Sequence, residues 1–272
     1  MTEEDFVAID CHAHVFTRDL PLAGERRYAP DYDATIAQYL AMLDDNGMSH
    51  GVLVQPSFLG TDNSYMLEAL TSMPSRLRGI AVVAPDIETD ALQVLDRQGV
   101  VGVRLNLLGR PDPVFTSREW SRHLGDISRL GWQVELQAEA GRLPALLPPL
   151  LASGCTVVVD HFGKPDPVAG IDDPGFRYLL SVGKSRQVWV KLSAAYRNGS
   201  AGRAIAQAAI PLLKAEFGLD RLVWGSDWPH TQFERVANPA EARQILSIWL
   251  PNAAECDQVL DGSPRKLFRF GG

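Results

Sequence analysis

The 272-residue chain has little cysteine: Cys11, Cys155 and Cys256 form an odd set with no short motif spacing. That excludes a disulfide framework and reads as reduced thiols in a cytoplasmic protein. It also lacks a surplus of positive charge. With 26 Lys and Arg against 33 Asp and Glu, the formal charge is −7, which argues against nucleic acid as the main partner, since such proteins carry a basic footprint. Nor is there an uninterrupted apolar run of membrane-spanning length. The most apolar stretch, 143–159, is broken by Pro144, Pro148, Pro149 and the Ser153-Gly154 pair, so no membrane partner is expected. The opening MTEEDF is acidic and lacks the basic-then-apolar pattern of a secretory signal. There is no low-complexity tract, no evident linker and no Gly-rich dinucleotide fingerprint after the first apolar run.

What is present is an alternation. Runs rich in Val, Ile and Leu predict strands over 7–14, 51–57, 79–84, 100–107, 133–137, 156–161, 188–193 and 221–227, nearly continuous in apolar residues as in parallel strands covered on both faces. Between them run helical stripes that stop at glycine. Ile36, Leu40 and Leu43 precede Gly47; Leu92 and Leu95 precede Gly99; Trp120, Leu124 and Ile127 precede Gly131; Ile205, Ile210, Leu213 and Phe217 precede Gly218. Eight strand-then-helix units and a helical extension over about 239–270 predict an α/β fold, a (β/α)8 TIM barrel, in one domain over 1–272. An open doubly wound sheet is the structural alternative.

A barrel of this kind carries its chemistry at the C-terminal ends of its strands. Those ends are polar here. The first reads DCHAHVF, and positions i and i+2 of a strand face one side, so His12 and His14 present their rings together. Later ends bring Gln55 and Ser57, Arg104 and Asn106, Glu135 and Gln137, Asp160 and His161, Lys191 and Ser193, then Asp227 and His230. Burying such groups without partners is costly. His12, His14, His161 and Asp227 are therefore expected to converge at one mouth. His50 and His123 read as surface residues, Cys11 as pointing away from the histidines into packing, and Trp224 and Trp228 as core or pocket wall.

The mouth is also expected to be cationic in this acidic protein. Arg18, Arg26 and Arg27 lie in the long loop after the first strand; Arg104 and Arg110 follow the fourth, Lys164 the sixth and Arg197 the seventh. Arg26 and Arg27 read as solvated loop residues. Arg104 is different, because a guanidinium at a strand end inside a barrel needs an anion, and arginine meets carboxylates as a planar fork.

Together DCHAHVF, VVVDHFGKP, RLVWGSDWPHT and SPRKLFRF resemble the amidohydrolase superfamily, and within it the lactonase branch that includes the 2-pyrone-4,6-dicarboxylate lactonases. The resemblance spans essentially the whole chain. Many members bind one or two metals through the HxH pair, histidines on strands five and six and the strand-eight aspartate. Here strand five offers Gln137 instead of histidine, and strand four offers Arg104 and Asn106 instead of a metal-bridging lysine or glutamate. The resemblance thus implies an enzyme that opens a small carboxylated lactone by water attack without a cofactor. Asp227 would be the general base, and His12, His14 and His161 would polarise the carbonyl. A single Zn²⁺ on His12, His14 and Asp227 is the alternative.

Arg104, Arg110, Lys164 and Arg197 would bind substrate carboxylates, with Asn106, Gln55, Ser57, Gln137, Tyr196 and His230 completing the pocket. Three other functions stay open on these residues. They are a metal-dependent decarboxylase of an aromatic or muconic acid, a sugar lactonase, and a non-catalytic carboxylate-binding barrel.

Overall fold

In the computed structural model, residues 8–271 are described, so the expected strand start at Phe6 and Val7 lies outside the described residues. Eight parallel strands run in sequence order: β1 (Ile9–Ala13), β2 (His50–Val54), β3 (Leu77–Ala81), β4 (Val100–Asn106), β5 (Gln133–Gln137), β6 (Thr156–Val159), β7 (Val188–Ser193) and β8 (Leu222–Gly225). β8 returns to β1 through a parallel bridge between Ala13 and Trp228. Two backbone bonds of 2.8 Å, from Asp227 N–H to the His12 carbonyl and from His14 N–H to the Trp228 carbonyl, complete the closure.

Helices fill the connections: α1 (Ile36–Asp45), α2 (Ser64–Ser72), α3 (Thr89–Arg97), α4 (Arg118–Arg129), α5 (Leu143–Ala152), α6 (Pro174–Ser181), α7 (Gly202–Phe217) and α8 (Pro239–Trp249). The glycines expected to end α1, α3, α4 and α7 all adopt positive φ, between +62° and +94°. The interrupted apolar stretch becomes α5 and β6, and among the described residues no helix is long and apolar enough to cross a membrane. One boundary changes. The helix at Pro239 is the eighth barrel helix, and the extension proper is α9 (Ala253–Asp257) and α10 (Ser263–Phe268).

Two apolar shells follow from strand alternation. Leu53, Val103, Val134, Val157, Val190 and Leu222 face outward and pack on the helices. Ile9, Val52, Val54, Ile80, Val158, Trp189 and Val223 fill the lumen, joined from below by Phe268 and Phe270 of the tail. Cys11 belongs to this inner group, not to an outward-facing one. The cause is a register shift in β1: Asp10 pairs with Gly51 but Ala13 with Leu53. One extra residue is accommodated there, so Cys11 and then His12 and His14 all face inward.

Two histidines expected at the surface are not there. His123 of α4 is buried with its ring edge-on to Trp120, and His50 is half-buried against Phe270 with ring centroids 4.9 Å apart. A polar residue on the inner stripe of an amphipathic helix is buried with that stripe.

Candidate active site

Above the apolar lumen the inward positions turn polar. His12 sits within β1 and His14 one residue beyond it. His161, Asp227 and His230 lie just past β6 and β8, where the chain leaves the strand at positive φ (52°, 60° and 63°). Such backbone is sparsely populated outside glycine and clusters at functional sites.

Asp227 is the focus. Its Oδ1 has no hydrogen-bond partner among the described residues, yet three imidazole Nε2 atoms surround it: His12 at 3.7 Å, His14 at 3.8 Å and His161 at 4.0 Å. Its Oδ2 accepts from Arg197 Nε at 2.7 Å and from the Tyr196 hydroxyl. One carboxylate oxygen is anchored and the other left open. Gly225 makes this approach feasible, because a Cβ there would fall 2.6 Å from the Cβ of His12.

Behind the rings, His14 Nδ1 meets the Val54 carbonyl at 2.6 Å and His161 Nδ1 meets Ser193 Oγ at 2.8 Å. His230 Nδ1 lies 3.0 Å from the Tyr196 hydroxyl.

The other residues expected here divide into two groups. Arg104 is buried, donating to the Gln55 carbonyl at 3.0 Å and to Gln137 Oε1 at 2.7 Å. Lys164 donates to the Arg197 carbonyl at 3.0 Å, and Arg110 is exposed with one bond, 3.0 Å, to the Glu25 carbonyl. Gln55 and Asn106 are already occupied: the Gln55 amide donates to the Asp62 carbonyl at 2.7 Å, and Asn106 Oδ1 accepts from Leu108 N–H at 3.3 Å. Ser57 is half-buried in the short turn after β2.

Arg27 is an exposed residue of the long loop after β1, as expected. Partial desolvation, then the guanidiniums of Arg104, Arg197 and Arg110, pull it below its usual pKa. One feature went unrecognised in the sequence, a buried charge cluster under His12. Lys191 Nζ lies 2.6 Å from Glu135 Oε2, 3.4 Å from Asp160 Oδ1 and 2.9 Å from His12 Nδ1. The polarity of those strand ends was legible, but their mutual contact is set by the barrel.

The sequence profile of the amidohydrolase family matches residues 9–270. The chain belongs to this family. It is 37% identical over 274 residues to the 2-pyrone-4,6-dicarboxylate hydrolase of Comamonas testosteroni, covering 96% of this chain and 90% of that one. It is 30% identical over 271 residues to the 4-sulfomuconolactone hydrolase of Hydrogenophaga intermedia, covering 95% and 88%. A crystal structure of a probable 2-pyrone-4,6-dicarboxylic acid hydrolase from Acinetobacter baumannii, with citric acid bound, superposes with a TM-score of 0.94 at 43% identity, covering 97% and 99%.

In this amidohydrolase the three imidazoles facing Asp227 are shifted towards the neutral form. Burial first, and then the nearby cations, lower His14 to about 3 and His161 to about 4, and His12 is also driven well down. Burial would raise Asp227, but Arg197 and the imidazoles outweigh it and hold the carboxyl well below the usual range. Burial and the charge of Asp227 lift the Tyr196 phenol, so it stays a donor. In the cluster below, burial raises Glu135 to about 7, while Lys191 and His12 overcome burial and keep Asp160 ionised.

These shifts predict an acid instability. Unfolded imidazoles titrate near about 6.5, so between there and their folded values the unfolded chain binds more protons, and stability falls with pH. Glu135 and Asp10, raised to about 7 and about 6 by burial, oppose this. These three histidines, with His50, His123 and His230 also lowered by burial, outweigh the two carboxyls and leave a net loss of at least roughly 2 kcal/mol from about pH 6.5 to about pH 5. Denaturant unfolding at the two pH values measures it, and a gain in stability would show that the imidazoles are not held neutral.

The donor geometry also permits a test of metal binding. His12, His14 and Asp227, and separately His12, Asp160 and His161, have ligand atoms within 4.8 Å of one another, close enough to hold an ion. A metal-bound imidazole normally donates its second N–H to a carbonyl or carboxylate. His14 meets that demand through Val54. His12 does not, because the group nearest its Nδ1 is an ammonium. The set does not fit a metal at His12.

Proposed function

We propose that this amidohydrolase opens a small lactone bearing two anionic groups, 2-pyrone-4,6-dicarboxylate being the model substrate, by direct attack of water. The observation that carries the reading is the open Oδ1 of Asp227 facing three neutral imidazoles. Above it lies a mouth of cations, of which Arg104 belongs to no ion pair among the described residues.

The His14 ring gives its Nδ1–H to Val54, which leaves Nε2 as an acceptor to hold the water beside Asp227. Asp227 takes one water proton as the oxygen bonds to the lactone carbonyl carbon. His12 and His161 stabilise the oxyanion that forms. Collapse breaks the ring C–O bond, and the proton on Asp227 passes to the leaving oxygen. The new carboxylic acid ionises, releasing the remaining water proton to solvent. Arg104, Arg197, Arg27 and Lys164 hold the substrate's anionic groups, and Tyr196 and His230 orient Asp227 and Arg197. No step needs a cofactor, and the misfit of His12 as a ligand supports a metal-free reaction. We place the enzyme in the cytoplasm, a reading supported by three free, buried cysteines.

Purified enzyme treated exhaustively with a chelator should retain its turnover of the dicarboxylated pyrone, and added Zn²⁺ should raise it little. A panel containing that pyrone, a sulfonated muconolactone and an uncharged sugar lactone should rank the two anionic compounds far ahead. Loss on chelation with recovery on zinc would replace this mechanism by a mononuclear one. Preference for the sugar lactone would remove the assignment of substrate class.

A further inference from the structure

Lys191 projects from β7 into the lumen and is fully buried. None of the hydrolytic steps uses it, although four ionisable side chains packed under a site are costly to bury. Its contacts suggest what it is for. An ammonium has three hydrogens and no lone pair, so at 2.9 Å it can only donate to His12 Nδ1. The bare nitrogen of the neutral ring is then Nδ1, and the ring proton must sit on Nε2, the atom that faces Asp227 Oδ1.

One neighbour pulls the other way. Asp160 Oδ1 lies 3.5 Å from the same Nδ1 and would favour a proton there. Distance decides between them: 2.9 Å is an ordinary hydrogen bond and 3.5 Å is not. Asp160 Oδ1 is also shared with the ammonium, at 3.4 Å. Glu135 Oε2, at 2.6 Å, forms an ion pair with the same ammonium.

We infer that Lys191 is a positioning residue that locks the tautomer of His12. Held by Glu135 and Asp160, it keeps the His12 proton on Nε2. An imidazole at a position where the superfamily places a metal ligand thereby becomes a hydrogen-bond donor to the lactone carbonyl. The use of that proton rests on the lactonase reading. The tautomer itself does not.

The decisive experiment therefore needs no substrate. Long-range ¹⁵N–¹H correlation spectra of histidine-labelled, ligand-free enzyme, with His12 assigned by comparison with His12→Asn, should show Nε2 protonated and Nδ1 bare. A proton on Nδ1 overturns the inference. Lys191→Met extends the test. Removing the ammonium leaves Asp160 to claim the Nδ1 proton, so kcat should fall about 10²-fold, as for loss of one oxyanion donor, with KM little changed. Zinc affinity, read by competition with a chromophoric chelator, should tighten about 10- to 100-fold, as for other changes behind a metal ligand.

Lys191→Arg, which keeps a charged donor, should restore much of kcat and the weak zinc binding. A Lys191→Met enzyme with parental kcat and zinc affinity counts against the lock. Should that variant fail to fold, the spectrum of the unmodified enzyme decides alone. An Nε2 proton in an enzyme that opens no lactone would leave the lock standing and remove the lactonase reading.

Discussion

Replacing Asp227 by asparagine should lower kcat by about 10²–10⁴-fold, the usual worth of a positioned general base. The amide keeps the shape and can still accept from Arg197, but it cannot take a proton from water. A carboxylate held as low as Asp227 is a weak base in the empty enzyme. The substrate corrects this: an anion about 6 Å away at an effective dielectric of about 20 raises a carboxyl by roughly two pH units. The base strengthens when the lactone arrives.

The same change should also lower stability. Arg197, with its side chain 14% exposed, would lose the anion that it meets at 2.7 Å, and breaking such a buried pair costs about 3 kcal/mol. The stability that Asp227 provides is present above about pH 4 and lost as pH falls towards its folded value, so it is fully at stake at neutral pH. Turnover should accordingly be measured well below the variant's lowered melting temperature. Near-normal kcat in a folded Asp227→Asn enzyme would reject Asp227 as the base.

The second large effect is expected at Arg104. Its guanidinium is buried, bonded to the neutral oxygens of Gln55 and Gln137, with Nε left without a partner among the described residues. A charge-assisted bond to a substrate carboxylate contributes about 1.5–3 kcal/mol, so Arg104→Met should lower kcat/KM for a carboxylated lactone roughly ten- to a hundredfold. Methionine keeps much of the apolar stem and deletes the fork. The matching uncharged methyl ester should be a poor substrate for the parent enzyme and be little affected by the change. If the ester is turned over as well as the acid, the cations do not set specificity and a sugar lactone becomes the better reading.

The barrel was legible because two periodicities alternate cleanly and glycines at positive φ mark four helix ends. The convergence of the four candidate site residues was legible for a related reason. His12, His14, His161 and Asp227 fall where apolar strands end, and a parallel barrel gathers all such ends on one face. What could not be read depends on geometry that one residue changes. The extra residue in β1 turns Cys11 inward, and no local pattern in DCHAHVF announces it. His123 follows the buried stripe of its helix, a matter of phase rather than residue type. Lys191, Glu135 and Asp160 come from β7, β5 and the end of β6, and only the closed sheet reveals that they meet beneath His12.

That closure has a temporal consequence. His12 and His14 arrive with the first strand, whereas Asp227 and His230 arrive with the last, and the two strands are joined by the bridge between Ala13 and Trp228. The underside is stoppered by Phe268 and Phe270, near the end of the described chain. Contacts so distant in sequence are the slowest to form, because the loop between them must be closed before they reward it. The early and middle strands can pair with their neighbours while the site still lacks its floor, Asp227 and His230. Chemistry is therefore among the last properties this molecule acquires as it folds, and among the first it surrenders when the seam between β1 and β8 parts.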